Sequence, residues 1–384
     1  MITILSTLDN DATAQDYLWI SCISDNSGQT DFKYIFDVYI DNTQKIRVKK
    51  FPEPSNGLGY FDASVAVRNN FTYDWFYPVQ TVFCAEPGAN EAYVNFDVRI
   101  GEDYSGVTTL NDASATTRTY NFRQPYTGKG IRNINAKLNK FITNRPLSIE
   151  SSLGENLFIP LFTDASGLTL KVDTYDQNNN LIQNYVHGSA HSVSTGFLML
   201  NISSTSINTY TGATVIDSSV KFYDAWFNSL DKVRVYLKCN GNYTPINLHF
   251  MNEWGHFDTA KFGLVSKLTM DVDRKSYSKR DYSLVNASPS YYNQATKKFI
   301  ETKINYGAKY DHSYKLTMDA PTDAEYVWLA DLINSPQVYA EIDGYYYPVT
   351  IKNTNYEYST ILNNRLRVLE IDIELNQTRY SHQR

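Results

Sequence analysis

Several short clusters in this chain carry residue types that could do chemistry. Gly128-Lys129-Gly130 has the ending of a phosphate-cradling loop, in which backbone N–H groups and a lysine meet phosphate oxygens. The glycine required five positions before Gly128 is Arg123, and Lys129 is followed by Gly rather than Ser or Thr. The stretch reads as a flexible linker. Asp176, Asn178 and Asn180 have the alternate spacing of a calcium loop. The sixth position is Leu181 instead of Gly and the twelfth is His187 instead of Glu, so an Asx-rich hairpin turn accounts for the same residues without an ion.

His187 and His191 stand four apart, a spacing that suits a metal only on a helix. The residues between them, Gly188-Ser189-Ala190, and the following Ser192-Val193-Ser194-Thr195-Gly196 read as loop, with no carboxylate in the segment. Structural or solvent-exposed histidines are the better reading. Neither a G-x-S-x-G elbow nor an H-E-x-x-H helix is present. Asp62, Asp97 and Asp258 could supply a glycosidase pair, because tertiary distance rather than sequence spacing defines one. The sequence therefore names no catalytic residue, no metal ligand and no cofactor.

The elements that would position any site are strands. The chain has 384 residues, a formal charge of −6, 20% charged residues and 31 Tyr beside 19 Phe and 5 Trp. Its length implies two or three domains. Its charge gives a nucleic-acid partner no electrostatic footprint. Tyrosine fits a pleated, half-buried surface and carries a polar tip, so its abundance points to strands and protein–protein contacts. Cys22, Cys84 and Cys239 are an odd number without a C-x-x-C pair, and each reads as a small buried hydrophobe. Met1-Ile2-Thr3-Ile4-Leu5 lacks the basic flank and long apolar core of a signal peptide, and no run of 18 apolar residues would insert into a membrane. Synthesis in a cytoplasm is the expectation.

Alternation of period two runs through residues 32–40 and 92–100, which read as half-buried strands, with a turn at Asp41-Asn42-Thr43-Gln44. The expected organisation is mainly β. An N-terminal β-sandwich over 1–124 is followed by a linker over 125–144 and a second sandwich-like domain over 145–259. A C-terminal β-domain over 260–384 carries one helix at 322–334. In the second domain Leu168, Leu170 and Val172 alternate, and Asn240-Gly241 joins two strands as a hairpin. Thr322-Asp323-Ala324-Glu325 has capping-box spacing, and Asn334-Ser335-Pro336 stops the helix. A two-residue turn at Asp343-Gly344 sets Ile342 opposite Tyr345, Ala340 opposite Tyr347 and Val338 opposite Val349. Those six form the expected core side. The other face then carries Tyr339, Tyr346 and Pro348, a candidate interface patch unless another element of the domain covers it.

One motif is more specific. Phe250-Met251-Asn252-Glu253-Trp254-Gly255-His256-Phe257-Asp258-Thr259 resembles an F-L-N-x-x-G-G-F-D-T signature of virion structural proteins, of tail or baseplate type, from tailed phages infecting Bacteroidetes. Residues 32–40 with Gly59-Tyr60-Phe61-Asp62-Ala63-Ser64 downstream look similar to the same group. So do residues 324–329, 335–339 and 347–353. This sequence has His256 where the pattern shows a second Gly, which bears on the turn geometry. Phe250, Asn252, Gly255, Phe257 and Asp258 read as structure: Phe250 ends a strand, Asn252 and Gly255 suit positive φ, and Phe257 re-enters the core.

The resemblance implies a virion subunit, in a tail, baseplate or connector, that contacts other virion proteins and copies of itself. A carbohydrate- or receptor-binding sandwich, with a host-surface glycan as partner, is the alternative. A glycan-degrading enzyme with a carboxylate pair is the third reading.

Overall fold

The computed structural model describes residues 2–6, 12–13, 17–71, 83–85, 93–120, 138–193, 196–228, 230–238, 243–280, 282–285, 288–290, 292–293, 295, 297–299, 301–318, 322–352, 369–377 and 379–382. The fold is mainly β, with 57% strand and 8% helix among the described residues. Gly128-Lys129-Gly130, Cys239, the Asn240-Gly241 hairpin and most of the expected linker lie outside the described residues. The chain divides into two compact units. The first comprises Met1–Asn240, Phe250–Thr259 and Val327–Pro336; the second comprises Gly241–His249, Ala260–Tyr326 and Gln337–Arg384.

The first unit holds two large hydrophobic cores, each shared by a pair of sheets. One pair is a three-stranded sheet in the order Ile2–Ser6, Trp19–Ser24, Gly59–Asp62, and a five-stranded sheet in the order Ala12–Thr13, Val107–Tyr120, Tyr93–Tyr104, Lys33–Ile40, Thr43–Lys50. Ile20, Cys22 and Phe61 from the small sheet pack with Tyr34, Phe36, Val38, Val94, Phe96 and Val98 from the large one. Alternation does what the pleat requires along Tyr93–Tyr104: Val94, Phe96, Val98 and Ile100 are buried, while Asn95 is exposed. Lys33–Ile40 departs from the expected half-buried strand. It lies inside the sheet, and Ile35 and Asp37, on the face away from that core, are also fully buried. Asp37 tolerates this because Arg47, directly across on the neighbouring strand, grips it with two bonds of 2.7 and 2.6 Å.

The second pair joins a four-stranded sheet (Lys140–Phe141, Phe158–Thr163, Gly196–Asn201, Cys84–Ala85) to a five-stranded one (Ser148–Ser152, Val233–Lys238, Phe222–Phe227, Leu170–Tyr175, Leu181–Val186). Leu168, Leu170 and Val172 enter this core as their alternation predicts. Ser148–Ser152 runs parallel to Val233–Lys238, an exception to the antiparallel pattern. Residues 138–144 fall in the expected linker, yet they supply the strand Lys140–Phe141 and bury Phe141, Ile142 and Thr143. The apolar Phe141-Ile142 pair explains why this segment docks.

The second unit contains one large sheet. Within this unit its order is Val338–Ile342, Tyr345–Ile351, Leu369–Leu375, Lys303–Met318, Lys267–Ser278, and the short strand Arg379–His382 also pairs with Lys303–Met318. The Asp343-Gly344 turn has φ of 53° and 78° at its two positions, the left-handed pair that a two-residue hairpin needs. The register is the one the turn dictates, from Ile342–Tyr345 to Val338–Val349. Val338, Ala340 and Val349 are buried, but the expected core side fades towards the turn, where Ile342 and Tyr347 are half-buried and Tyr345 is exposed.

The helix spans Asp323–Ile333. Its capping box is formed: the Glu325 N–H donates to Thr322 Oγ1 at 3.3 Å, and the Thr322 N–H donates to Glu325 Oε2 at 2.7 Å. Among the described residues no helix is long and apolar enough to cross a membrane.

Two substitutions test these local causes. Thr322→Ala removes one half of the capping box and is expected to lower stability by about 1 kcal/mol in urea unfolding. A Cβ at Gly59 would lie 2.7 Å from the Tyr34 ring and 2.9 Å from Cys22 Sγ, both in the core. Gly59→Ala should therefore cost roughly 2 kcal/mol by overpacking, read from the denaturation midpoint.

Candidate functional site

The Phe250–Thr259 motif builds the most elaborate buried polar junction of the first unit. The chain turns sharply after Phe250-Met251, and Asn252 organises the turn. Its N–H donates to the His256 carbonyl at 2.6 Å, and its carbonyl accepts from the Gly255 N–H at 3.1 Å. Its side-chain Oδ1 accepts from the N–H groups of Trp254 and His256, while Nδ2 donates to the Ile142 carbonyl at 2.9 Å. One amide thus satisfies three backbone groups that have no water to turn to.

Gly255 has the expected positive φ, 78°. Asn252 does not: it acts through its side chain, not through a left-handed backbone. His256 also has no positive φ, so the turn makes no demand for a second Gly there.

Phe257 is buried, and Asp258 follows it into the interior. Asp258 Oδ2 accepts from Thr143 Oγ1 at 2.7 Å and from Trp328 Nε1 at 2.8 Å. Arg145 lies with its guanidinium 5.0 Å from the centre of the Trp328 ring, and its N–H donates to Thr143 Oγ1. Burial pushes the Asp258 carboxyl pKa above its ordinary value; the bonds from Thr143 and Trp328 and the charge of Arg145 pull against that. His256, fully buried against the Phe197 ring at 4.4 Å, is held neutral, its pKa lowered to about 3 by desolvation. Asn144 Nδ2 donates to Glu253 Oε1 at 2.6 Å on the same turn. The arrangement fastens the motif to residues 142–145 and to Trp328. Asp258 is thus a deeply buried carboxylate held by the Thr143 and Trp328 donors.

The other candidates lie apart from this junction, each in its own local contacts. Asp62 Oδ1 accepts from the N–H groups of Leu18 and Ser64, closing a strand end onto a short helix. Asp97 sits mid-strand in the five-stranded sheet. No carboxylate is among the groups that act on Asp258. Asp176 caps its own turn through the N–H groups of Asn178 and Asn180, with Asn179 at φ 66° and Lys221 Nζ donating to the Asn179 side-chain Oδ1. His187 and His191 flank the Tyr210 ring at 4.5 and 5.5 Å, with Phe83 stacked on it at 4.2 Å. Among the described residues no three His, Cys, Asp or Glu side chains are grouped to hold a metal. Cys22 and Cys84 are both buried.

The candidate interface residues Tyr339, Tyr346 and Pro348 are each half-buried. Their face also carries His249, whose Nε2 is 3.2 Å from Glu341 Oε2 and whose ring stands edge-on to Tyr346 at 5.5 Å. The bond from His249, then that from Asn247, holds the Glu341 carboxyl below its usual range.

Sequence patterns missed a second aromatic face. On the five-stranded sheet of the second core, Tyr175 stacks on Phe222 at 4.5 Å and Phe222 meets Tyr236 at 5.3 Å. Beside them Arg234 binds the buried Asp224 with bonds of 2.7 and 2.8 Å, and Lys232 lies 3.9 Å from the centre of the Trp226 ring. The alternation of Leu168, Leu170 and Val172 is read in the sequence but the strand Phe222–Phe227 is not, so the row of aromatics went unseen. No family model matches the chain, and no curated protein matches it in sequence.

Two outcomes check the junction. Asp258→Ala leaves the Trp328 and Thr143 donors unpaired and should cost about 3 kcal/mol, whereas Asp258→Asn, which keeps an acceptor oxygen, should cost markedly less. His256 has a folded pKa below its unfolded one. Its stabilising contribution is therefore present above about pH 6.5 and declines as pH falls towards about 3. Denaturation midpoints measured across that window should show a smaller acid loss in His256→Phe than in the wild type.

Proposed function

We propose that the protein is a structural subunit of a phage virion, in a tail, baseplate or connector, that works through protein–protein contacts in an oligomeric assembly. The observation that carries this reading is the use made of the Phe250–Thr259 motif. The segment that resembles virion proteins spends its polar groups on internal ties, with Asn252 bonded to Ile142 and Asp258 to Thr143 and Trp328. A motif of that kind specifies a fold; the work of the protein then falls to its surfaces. The abundance of Tyr and the half-buried Tyr339, Tyr346 and Pro348 support contact with copies of itself and with other virion proteins.

One observation favours a carbohydrate-binding reading: the row Tyr175, Phe222 and Tyr236 beside Arg234 and Asp224 combines ring faces with planar polar groups. Negative-stain imaging with light scattering separates the two. Rings or tubes formed by the purified chain support the assembly reading; a monomer that binds a glycan array, with binding lost in Tyr175→Ala, supports the other. Hydrolysis of a host-surface polysaccharide, abolished by a single Asp→Asn or Glu→Gln change, would overturn both. Under the assembly reading Tyr346→Lys should block assembly without lowering the melting temperature of the isolated chain. A lower melting temperature would place the ring inside the fold.

A further inference from the structure

Among the described residues the strand Lys267–Ser278 stands at the edge of the large sheet of the second unit, paired on one side only, with Lys303–Met318. None of its twelve residues is buried, and Leu268 and Met270 are 56% and 55% exposed. A long open edge presents a row of unpaired N–H and C=O groups, and proteins that stay monomeric blunt such edges with proline, bulges or charges set into the apolar side. Residues 266–273 contain no proline, and the one bulge in the ladder falls beyond them, between Lys275 and Ser276. Leu268, Met270 and Val272 line one face, with Arg274 following only at its far end; Lys267, Thr269, Asp271 and Asp273 line the other.

The charges on this edge are matched to a copy of itself. An antiparallel partner related by a two-fold axis through Met270 sets Lys267 opposite Asp273, Leu268 opposite Val272 and Thr269 opposite Asp271, each pair occurring twice. Shifting the axis to Asp271 sets that carboxylate against its own copy and Lys267 against Lys275, so the alternative is penalised by like charges. Within the chain the cross-strand neighbours of Lys267 and Asp273 are Lys315 and Lys309. Those lysines are engaged elsewhere, Lys315 with Glu370 and Lys309 with Asp311. Among the described residues neither Lys267 nor Asp273 has an ion-pair partner of its own.

We infer that the edge strand Lys267–Ser278 is a self-association site, at which a second copy of this chain adds its own edge strand antiparallel about a two-fold axis at Met270. The contact is isologous and closes at a dimer, with main-chain bonds supplying affinity and the Lys267–Asp273 pairs fixing the register. It stands independently of the virion reading, since edge pairing does not depend on what the assembled protein is for.

Sedimentation equilibrium of the full chain tests it. The wild type should be a dimer in reversible exchange with monomer. Lys267→Asp sets carboxylate against carboxylate at both symmetric positions, and Asp273→Lys sets ammonium against ammonium; each should weaken dimerisation at least tenfold. An equimolar mixture of the two variants restores both opposite-charge pairs and should dimerise again. The double variant Lys267→Asp/Asp273→Lys should do so alone, which keeps the test valid if either single variant folds poorly. A wild type that stays monomeric at about 100 µM, a concentration that saturates a micromolar interface, overturns the inference. So do single variants that associate like the wild type, or a mixture that remains monomeric.

Discussion

Buried polar groups must find partners inside the protein, and at the Phe250–Thr259 turn one side chain meets most of that demand. The Asn252 amide accepts from two N–H groups of its own turn and donates to the Ile142 carbonyl of a segment 110 residues away in sequence. Unmade bonds at such sites cost about 1–3 kcal/mol each, so the turn and the segment are stable only together. The next residues repeat the device. Asp258 reaches Thr143, whose hydroxyl also accepts from the Arg145 N–H, and Trp328 closes the set from the helix. The apolar contacts of Ile142, Phe162, Phe197 and Trp254 then fill the space around a framework that the polar bonds have already specified.

The same constraint acts within the sheets. Asp37 and Asp224 lie in the interior of five-stranded sheets and each takes a two-bond grip from an arginine on the adjacent strand. Neither arginine is itself deeply buried, and each lays its stem along the outer face of its sheet while its head group neutralises the aspartate. Such pairs add little net stability against an apolar alternative, but a slipped register would strand a buried charge. They fix which residue faces which.

Much of this fold was legible in the sequence where a local rule decided the outcome. Period-two alternation gave the strands around Val94–Ile100 and Leu168–Val172, the Thr322–Glu325 spacing gave the helix start, and Asp343-Gly344 gave a hairpin register correct to the residue. The turn at Asp41-Asn42 gave less, because a bulge intervenes. Tyr39 faces Gln44, but Val38 faces Ile46, so Lys45 is passed over and Asp37 arrives at Arg47. Counting back from the turn would have set Asp37 opposite Ile46 and hidden the ion pair. The junction at Asp258 was beyond any local rule: Thr143, Asp258 and Trp328 are brought together only by the fold. Asn252 was singled out for the right turn and the wrong reason, since its side chain rather than its φ is what the turn uses.

The close approach at Gly59 has a chemical counterpart. The Tyr34 ring and the Gly59 backbone together enclose Cys22, and burial pushes its thiol pKa up to about 12. At neutral pH the reactive thiolate is then scarcely populated. The sulfur, which donates to the Gly59 carbonyl at 3.8 Å, is inert because ionisation is denied to it while the core is closed. Alkylation of Cys22 therefore has to wait for the three-stranded sheet to separate from its partner. The rate at which a soluble thiol reagent marks this residue becomes a clock for how often that core opens.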